Sequence, residues 1–485
     1  MTADRLRFVL FLNGVFILAL AVAMLVPAVV DFATGNSEDV ITFVSSAAVS
    51  AGLGALLVAA FKQDEIDLTD RRTALLLTVS AWLSVSVIGA IPLYNSALAL
   101  SWTDAVFESA AALTTTGSTI LVGLDVMPQG LLMWRSLLQW LGGIGIIVMA
   151  LSVLPALRVG GMQLFRSESS DISEKPFPRV RQIARNILIV YLSLTLACAV
   201  SLDFAGMSTF DAVNHAMTTI ATGGHSTKDA SIGYYNSLPI EVVTIIFMIS
   251  GALPLAFYAV FLLSRGKRSA IEGQIKPFLL ILAAAILACT TWNISQGMSP
   301  PEALRLSAFN VTSIMTDTGF ATADFSAWGS FAIGLFFVLY LVGGCAGSTA
   351  GAIKIFRWQI LFVGTGRVLR GTLYPQAIVP VRFQGKSVDD VAISNVRNFF
   401  FLYIMTLLFM SLLVMATGLD YLSAISSVAQ AMANAGPGLG PLVGPATNFA
   451  AIPDTAKWLI AFAMVIGRLE LVTLLVVLQP WFWRR

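Results

Sequence analysis

Charged residues are scarce in this chain. Only 12% of its 485 residues are Asp, Glu, Lys or Arg, against about 25% in an ordinary soluble domain, and 57% are hydrophobic. Histidine is scarcer still. His215 and His225 stand ten residues apart, with no Cys or carboxylate cluster at metal-ligand spacing, which removes the usual zinc chemistry. The three cysteines, Cys198, Cys289 and Cys345, are odd in number and sit in or beside apolar stretches, so no disulfide framework is expected. No P-loop and no dinucleotide fingerprint is present, so the chain itself is expected to bind no nucleotide. Asp211 and Ser226 lie near the histidines, but Asp211 reads as the cap of a short helix. These absences argue against an enzyme. The net charge of +2 says little about partners, and no nucleic-acid partner is expected.

What the chain has in abundance is apolar blocks of roughly 20 residues, the length that crosses about 30 Å of hydrocarbon. Ten such blocks run over 7–30, 40–61, 73–94, 129–155, 186–204, 238–263, 277–295, 326–346, 396–416 and 457–480. The first is longer than a signal-peptide core and reads as a retained helix. Four stretches near 101–116, 208–222, 301–318 and 421–435 are too short and too polar to cross, as re-entrant half-helices would be. With the N-terminus in the cytoplasm, 24 of the 29 basic residues fall inside. Lys228, Arg305 and Lys457 fall outside, and Arg135 and Arg468 within or at the edge of spans. Both termini are then cytoplasmic, and all four short stretches dip in from the outer face. The internal loops 156–185 and 347–395 hold the densest basic clusters, a pattern that topology and anionic lipid account for.

The short stretches end in related strings: Thr114-Thr115-Thr116-Gly117, Ile220-Ala221-Thr222-Gly223, Thr316-Asp317-Thr318-Gly319 and Ala433-Asn434-Ala435-Gly436. Nine residues before each of these glycines lies a polar residue: Glu108, Asn214, Asn310 and Ser427. The repeating unit is span, half-helix, Gly loop, span, four times over, with two extra spans ahead of it. Irregular backbone at membrane depth is tolerated only where it is buried in protein or lines water. A glycine at the end of a half-helix can turn the chain and leave successive carbonyls pointing to one side. Four such loops around an axis would give rings of carbonyls able to replace the hydration shell of K⁺. Half-helices entering from outside would point their partly negative C-terminal ends at the centre, which suits a cation. Gly loops that merely let helices pack are the plainer reading of any one string; four in matched context favour a pore.

These strings, TTTGST (114–119), ATGGHST (221–227), TDTGFATAD (316–324) and ANAGPGLG (433–440), resemble the four filter loops of the TrkH/TrkG potassium-uptake family, related to KtrB and distantly to K⁺ channels. GGCAGSTAGAIKIFR (343–357) resembles the family's intramembrane loop, and GRLELVTLLVVLQPWFWRR (467–485) its last helix. The two extra N-terminal spans resemble TrkH more than KtrB. The fold implied is an all-α integral membrane protein with ten transmembrane helices plus four re-entrant pore half-helices. Its parts would be a two-span domain at 1–66 and pseudo-symmetric repeats at 67–160, 161–268, 269–370 and 371–485. The function implied is K⁺ uptake across a bacterial inner membrane. K⁺ would meet the backbone carbonyls of Thr115, Thr116, Ala221, Thr222, Asp317, Thr318, Asn434 and Ala435, beside the filter glycines Gly117, Gly223, Gly319 and Gly436. The fourth loop lacks the hydroxyl residue of the others, so the ring is only pseudo-fourfold. Asp317 would either gather cations or bond loop amides behind the filter.

The resemblance also implies a gate. Gly343, Gly344, Gly347, Ser348, Thr349 and Gly351 disfavour a continuous helix, and the family places its gate at this position. Lys354 and Arg357 would sit at the cytoplasmic mouth. Arg468, about two turns into the last span, reads either as an electrostatic barrier beside the pore or as a structural donor to loop carbonyls. Partners implied are a second copy of the chain and a cytoplasmic ring of TrkA-like subunits that bind NAD and ATP, docked on loops 156–185 and 347–395. An H⁺- or Na⁺-coupled K⁺ symporter stays open as the alternative.

Overall fold

Apolar side chains line the outside of the molecule and polar ones its middle, the pattern expected where lipid is the solvent. Phe32, Val49, Phe204, Leu280 and Phe401 are more than half exposed, whereas Glu108, Arg135, Gln139, His215 and Asn310 are 1% exposed or less. The computed structural model describes residues 3–62, 70–157, 176–258, 272–376, 380–383 and 386–484. It is helical throughout apart from loops and one small antiparallel ribbon that pairs Arg382 with Ser387 and Phe383 with Lys386.

Six of the expected spans are helices long and apolar enough to cross a bilayer: Asp4–Thr34, Ser37–Phe61, Arg71–Tyr94, Ala184–Phe204, Gly273–Ser295 and Asp390–Met415. A seventh, Gln129–Leu157, covers the block expected at 129–155. Of the three remaining blocks, 238–263 and 457–480 are corrected to helices broken in the middle, and 326–346 runs into the non-helical stretch expected of its small residues. Leu238–Ala252 stops at an extended Leu253 followed by Pro254, which has no amide hydrogen to continue the ladder. Ser330–Leu339 gives way to a stretch without helix that lasts until Ile355–Leu373 begins. Asp454–Arg468 stops where Glu470 and Leu471 take φ of 54° and 31°, and helix resumes at Val472. Hydropathy sums apolar side chains and does not register where the backbone leaves the helix. The end of the 238–263 block, and 158–175 of the expected basic loop, lie outside the described residues.

Four short helices, Trp102–Leu113, Thr209–Ile220, Pro300–Met315 and Tyr421–Ala433, fill the places expected of the half-helices. Three start on a side-chain cap: Ser101, Ser208 and Asp420 accept from the amides of Asp104, Asp211 and Ser423. The third short helix opens on Pro300-Pro301, where missing amide hydrogens are harmless. Asp211 is therefore not the cap expected of it; Ser208 is, and the Asp211 carboxylate accepts from Thr227 Oγ1 at 2.6 Å.

The other ends of three of these helices lie against glycine in a flanking span. A Cβ on Gly142 would overlap the Leu113 carbonyl, and one on Gly467 the Met432 carbonyl; on Gly251 it would lie 3.2 Å from the Ile220 carbonyl. Around the rim, the first two spans touch through Gly14 and Gly54, where a Cβ on either would lie 2.9 Å from the other's carbonyl oxygen. Asn13 joins this pair to the third span, donating to Ser80 Oγ at 2.9 Å and accepting from Ser84 Oγ at 2.7 Å.

Two glycines one turn apart in Gln129–Leu157 make a direct test. Gly142→Ala forces backbone apart and is expected to destabilise the detergent-solubilised protein by about 2–3 kcal/mol. Gly145→Ala, with nothing within 4 Å of the new methyl, leaves the thermal unfolding midpoint unchanged or slightly higher. Equal effects of the two substitutions would show that the helix does not pack on Leu113.

Candidate functional site

Each short helix ends on the same hydrogen-bonded cap. A left-handed residue ends each: Thr115, Thr222 and Asp317, one beyond the helical C-cap, and Asn434, itself the C-cap, have φ of 55°, 51°, 59° and 58°. The next amide reaches back five residues, from Thr116, Gly223, Thr318 and Ala435 to the carbonyls of Ala111, Thr218, Ser313 and Gln430, at 2.8–3.0 Å. The left-handed residue itself donates to the carbonyl three positions back, as from Thr115 to Ala112. This is the Schellman arrangement, which satisfies carbonyls that a helix end would otherwise strand away from water. It normally takes Gly. Thr, Thr, Asp and Asn hold it here at roughly 1–2 kcal/mol each, and such strain persists only where the surroundings impose it.

The cap corrects the register of the second loop. The glycines with positive φ are Gly117, Gly224, Gly319 and Gly436, at 82°, 74°, 87° and 89°. The structural equivalent of Gly117 is thus Gly224, not Gly223, and Thr222 and Gly223 take the places expected of Ala221 and Thr222. Thr209–Ile220 ends one residue later, relative to its string, than the double glycine suggested. The polar residues that brace the returning chain shift as well. Glu108 accepts from the Ile120 amide at 2.9 Å, and Asn310 from the Thr322 amide at 3.1 Å. In the second loop His215 pairs with Ser226 at 2.9 Å, and in the fourth Ser426 accepts from the Leu439 amide at 2.9 Å. Asn214 and Ser427, the residues picked by spacing, bond within their own helices.

The four loops close on one another in cyclic order. A Cβ on Gly117 would overlap the Gly223 carbonyl oxygen, and one on Gly224 the Thr318 oxygen. On Gly319 it would lie 2.6 Å from the Ala435 oxygen, and on Gly436 3.2 Å from the Thr116 oxygen. Each loop thus lays a carbonyl against the glycine of the loop before it, and the ring has no gap. Ser118 closes it by donating to the Gly436 carbonyl at 2.9 Å. Such a ring gathers the partly negative ends of four helices, and the charge it favours is positive.

Outside the ring, buried polar side chains clamp the loops in pairs. The Arg135 guanidinium meets Glu108 at 2.6 Å, Ser226 O at 3.1 Å and Thr119 Oγ1 at 3.1 Å, joining the first loop to the second. Gln139 donates to Gly223 O at 2.8 Å and accepts from the His225 amide at 3.1 Å. Sequence reasoning placed Arg135 only as a charge at a span edge and missed Gln139. A glutamine one turn from a buried arginine, on a span otherwise apolar, was the available signal.

On the other side of the ring lies the stretch without helix, 340–354. It is stitched to the backs of the loops. Thr349 Oγ1 donates to Ile220 O at 2.9 Å, the Ala352 amide to Ala433 O at 2.9 Å, and the Cys345 amide to Ala252 O at 2.9 Å. Gly343, Gly344 and Gly351 leave no room for a side chain: a Cβ on Gly351 would overlap Ala433 O. Ser348 turns back on Cys345 O at 2.7 Å, and Gly347, at φ 79°, accepts from the Leu255 amide at 3.0 Å. Arg468, the last residue of its helix, not one inside a continuous span, donates to Thr349 O at 2.9 Å and to Gly142 O at 3.4 Å. It therefore bridges this stretch to the span behind the first loop. Lys354 Nζ donates to Ala350 O. Arg357, expected at the cytoplasmic mouth, is 1% exposed, pairs with Glu470 at 2.7 Å and lies 4.0 Å over the Phe399 ring.

Comparison with known proteins covers almost the whole chain. The model of the TrkH family, described as cation transport protein, matches residues 40–481. The chain is 42% identical to the Trk system potassium uptake protein TrkI of Halomonas elongata over 487 residues, covering 100% of this chain and 98% of the relative. It is 35% identical to the Trk system potassium uptake protein TrkH of Escherichia coli K12, with 97% and 98% covered. The crystal structure of the potassium transporter TrkH from Vibrio parahaemolyticus superposes with a TM-score of 0.89 at 34% identity, covering 99% of this chain and all of that one.

The Glu108–Arg135 pair gives a stability test. Arg135→Met leaves a carboxylate buried without its partner and is expected to cost about 3–5 kcal/mol, read as the shift of a denaturation midpoint. Adding Glu108→Gln should recover more than half of that loss. A double variant as unstable as Arg135→Met would mean that the pair matters only for the space it fills.

Proposed function

Because the chain belongs to the TrkH family of cation transport proteins, we propose that it takes up K⁺ across the inner membrane of a bacterium through a moderately selective pore at the centre of the four-loop ring. It is a transport protein and not an enzyme. The observation that carries the pore reading is the fourfold recurrence of one strained cap, with each loop's carbonyl laid on the next loop's glycine. Ten crossings and four re-entrant half-helices, in the four repeats set out above, suit this arrangement, with both termini cytoplasmic. K⁺ would exchange water for the carbonyls of Thr115, Thr116, Thr222, Gly223, Asp317, Thr318, Asn434 and Ala435, a set shifted by one residue in the second loop. The stretch 340–354 is the gate in this reading. Arg468 is both barrier and fastener: its positive charge opposes a cation, and its bond to Thr349 O holds the stretch in place.

Relatives named for a Trk system support further subunits. A homodimer on TrkA-like subunits that bind NAD and ATP rests on the family resemblance; Arg370 and Arg382, both exposed, lie in the loop 347–395 expected to dock them.

The test is ⁸⁶Rb⁺ uptake into K⁺-loaded proteoliposomes with external K⁺ or Na⁺ as competitor. K⁺ should block uptake and Na⁺ should have little effect. Gly224→Ala, which needs a side chain at positive φ and overlaps Thr318 O, should abolish uptake. Gly223→Ala, which presses on the movable Gln139 side chain at 2.5 Å, should reduce it less. Arg468→Ala should be faster than wild type. Equal competition by Na⁺ would return the coupled symporter to first place.

A further inference from the structure

One carboxylate near the ring has no evident reason to be there. Asp317 is the left-handed residue of the third cap, is 0% exposed, and follows the C-terminal end of Pro300–Met315, where the helix dipole opposes negative charge. Among the described residues, no donor meets hydrogen-bond geometry with either of its oxygens. The three residues at equivalent positions, Thr115, Thr222 and Asn434, show that the cap does not require a carboxylate. A buried charge is stable only if other charges compensate it.

The compensating charges come from the gate. Oδ2 lies 3.0 Å from where a Cβ on Gly343 would stand, so the carboxylate touches the stretch 340–354 at its entry, and the amides of Gly344 and Gly351 face it. The Gly343 amide donates to Ile353 O at 3.1 Å, which brings the exit of the same stretch, and with it Lys354, to the same place. Lys354 and Arg468 both lie within electrostatic reach of Asp317. The Tyr403 hydroxyl of Asp390–Met415, also buried and without a hydrogen-bond partner among the described residues, lies within electrostatic reach of Asp317. Arg357 and Glu470 occupy each other at 2.7 Å. Among the described residues, Asp317 is the carboxylate that acts on both Lys354 and Arg468, while Glu470 pairs with Arg357 and reaches Lys354 only.

We propose that Asp317 is a permeation-determining counter-charge: it offsets Lys354 and Arg468 beneath the ring, and so sets the height of the barrier that a K⁺ ion meets on leaving the filter. The inference rests on the pore reading given above and adds a residue, a sign and a partner to it. Asp317 needs no direct contact with K⁺ for this; at short range in a poorly screened interior, its charge acts through space.

The sign of the effect is the test. In the ⁸⁶Rb⁺ uptake assay with the full chain, Asp317→Asn should lower uptake by about fivefold, and Lys354→Met should raise it by about twofold or more. The double variant should return to within about twofold of wild type, since the two charges cancel. Lys354→Arg, which keeps the charge, should lie closer to wild type than Lys354→Met. If the pair merely staples the gate shut, both single substitutions shift uptake in the same direction, and the counter-charge is overturned. If Asp317→Asn does not yield a monodisperse protein on gel filtration, Lys354→Met decides alone, and unchanged or reduced uptake overturns the proposal. Wild-type uptake that K⁺ fails to block sinks the pore reading itself; wild-type uptake blocked by K⁺, with same-sign variants, sinks only this inference.

Discussion

A helix that stops in the middle of a membrane has to satisfy its last carbonyls without bulk water. Much of the arrangement in this molecule follows from how four short helices meet that constraint. The left-handed cap turns the chain sharply and spends the next amides on the stranded carbonyls of the helix. The carbonyls beyond the turn are then offered sideways to the neighbouring loop. Because each of those carbonyls lies against a glycine α-carbon, the loops approach more closely than any side chain would permit. The cap, the glycine and the ring are three views of one solution.

The strain of that solution is held from outside. Glu108, His215, Asn310 and Ser426 each reach from a short helix to the chain returning from its loop, and Arg135 and Gln139 tie adjacent loops together. On the opposite side the stretch 340–354 uses the same helix ends as anchors, through Thr349 to Ile220 O and Ala352 to Ala433 O. Any displacement of that stretch withdraws hydrogen bonds from the ends of the second and fourth short helices. The loops and the stretch 340–354 are therefore built on shared carbonyls, and Arg468 is bonded to both the stretch and the span behind the first loop.

Much of this was legible in the sequence, for definite reasons. Short polar stretches between long apolar ones identify the half-helices, because a segment of a dozen residues cannot cross hydrocarbon. The recurrence of a glycine after each marks the loops. Register was harder. In the second loop, Gly223-Gly224 offers two glycines where the others offer one, and spacing alone chose the earlier; only the backbone dihedrals separate them. Of the broken spans at Leu253, Tyr340 and Leu471, only the second was read from the sequence, at the small-residue run 343–351, because hydropathy averages over Pro254 at the first break and over Arg468 and Glu470 at the third. The partners of Arg357 and Arg468 were beyond reach: they come from segments more than 100 residues away.

The four caps are chemically different, Thr, Thr, Asp and Asn, although they perform the same turn. In an assembly of four identical subunits, one codon change alters all four quarters of the pathway at once, and intermediate degrees of alteration do not exist. Here each quarter is written separately in one gene. A lineage can therefore adjust one side of the ring at a time and in small steps, while three sides keep their turn. The same separateness lets a carboxyl group such as that of Asp317 be placed on one side only, an asymmetry that no exactly fourfold structure can produce.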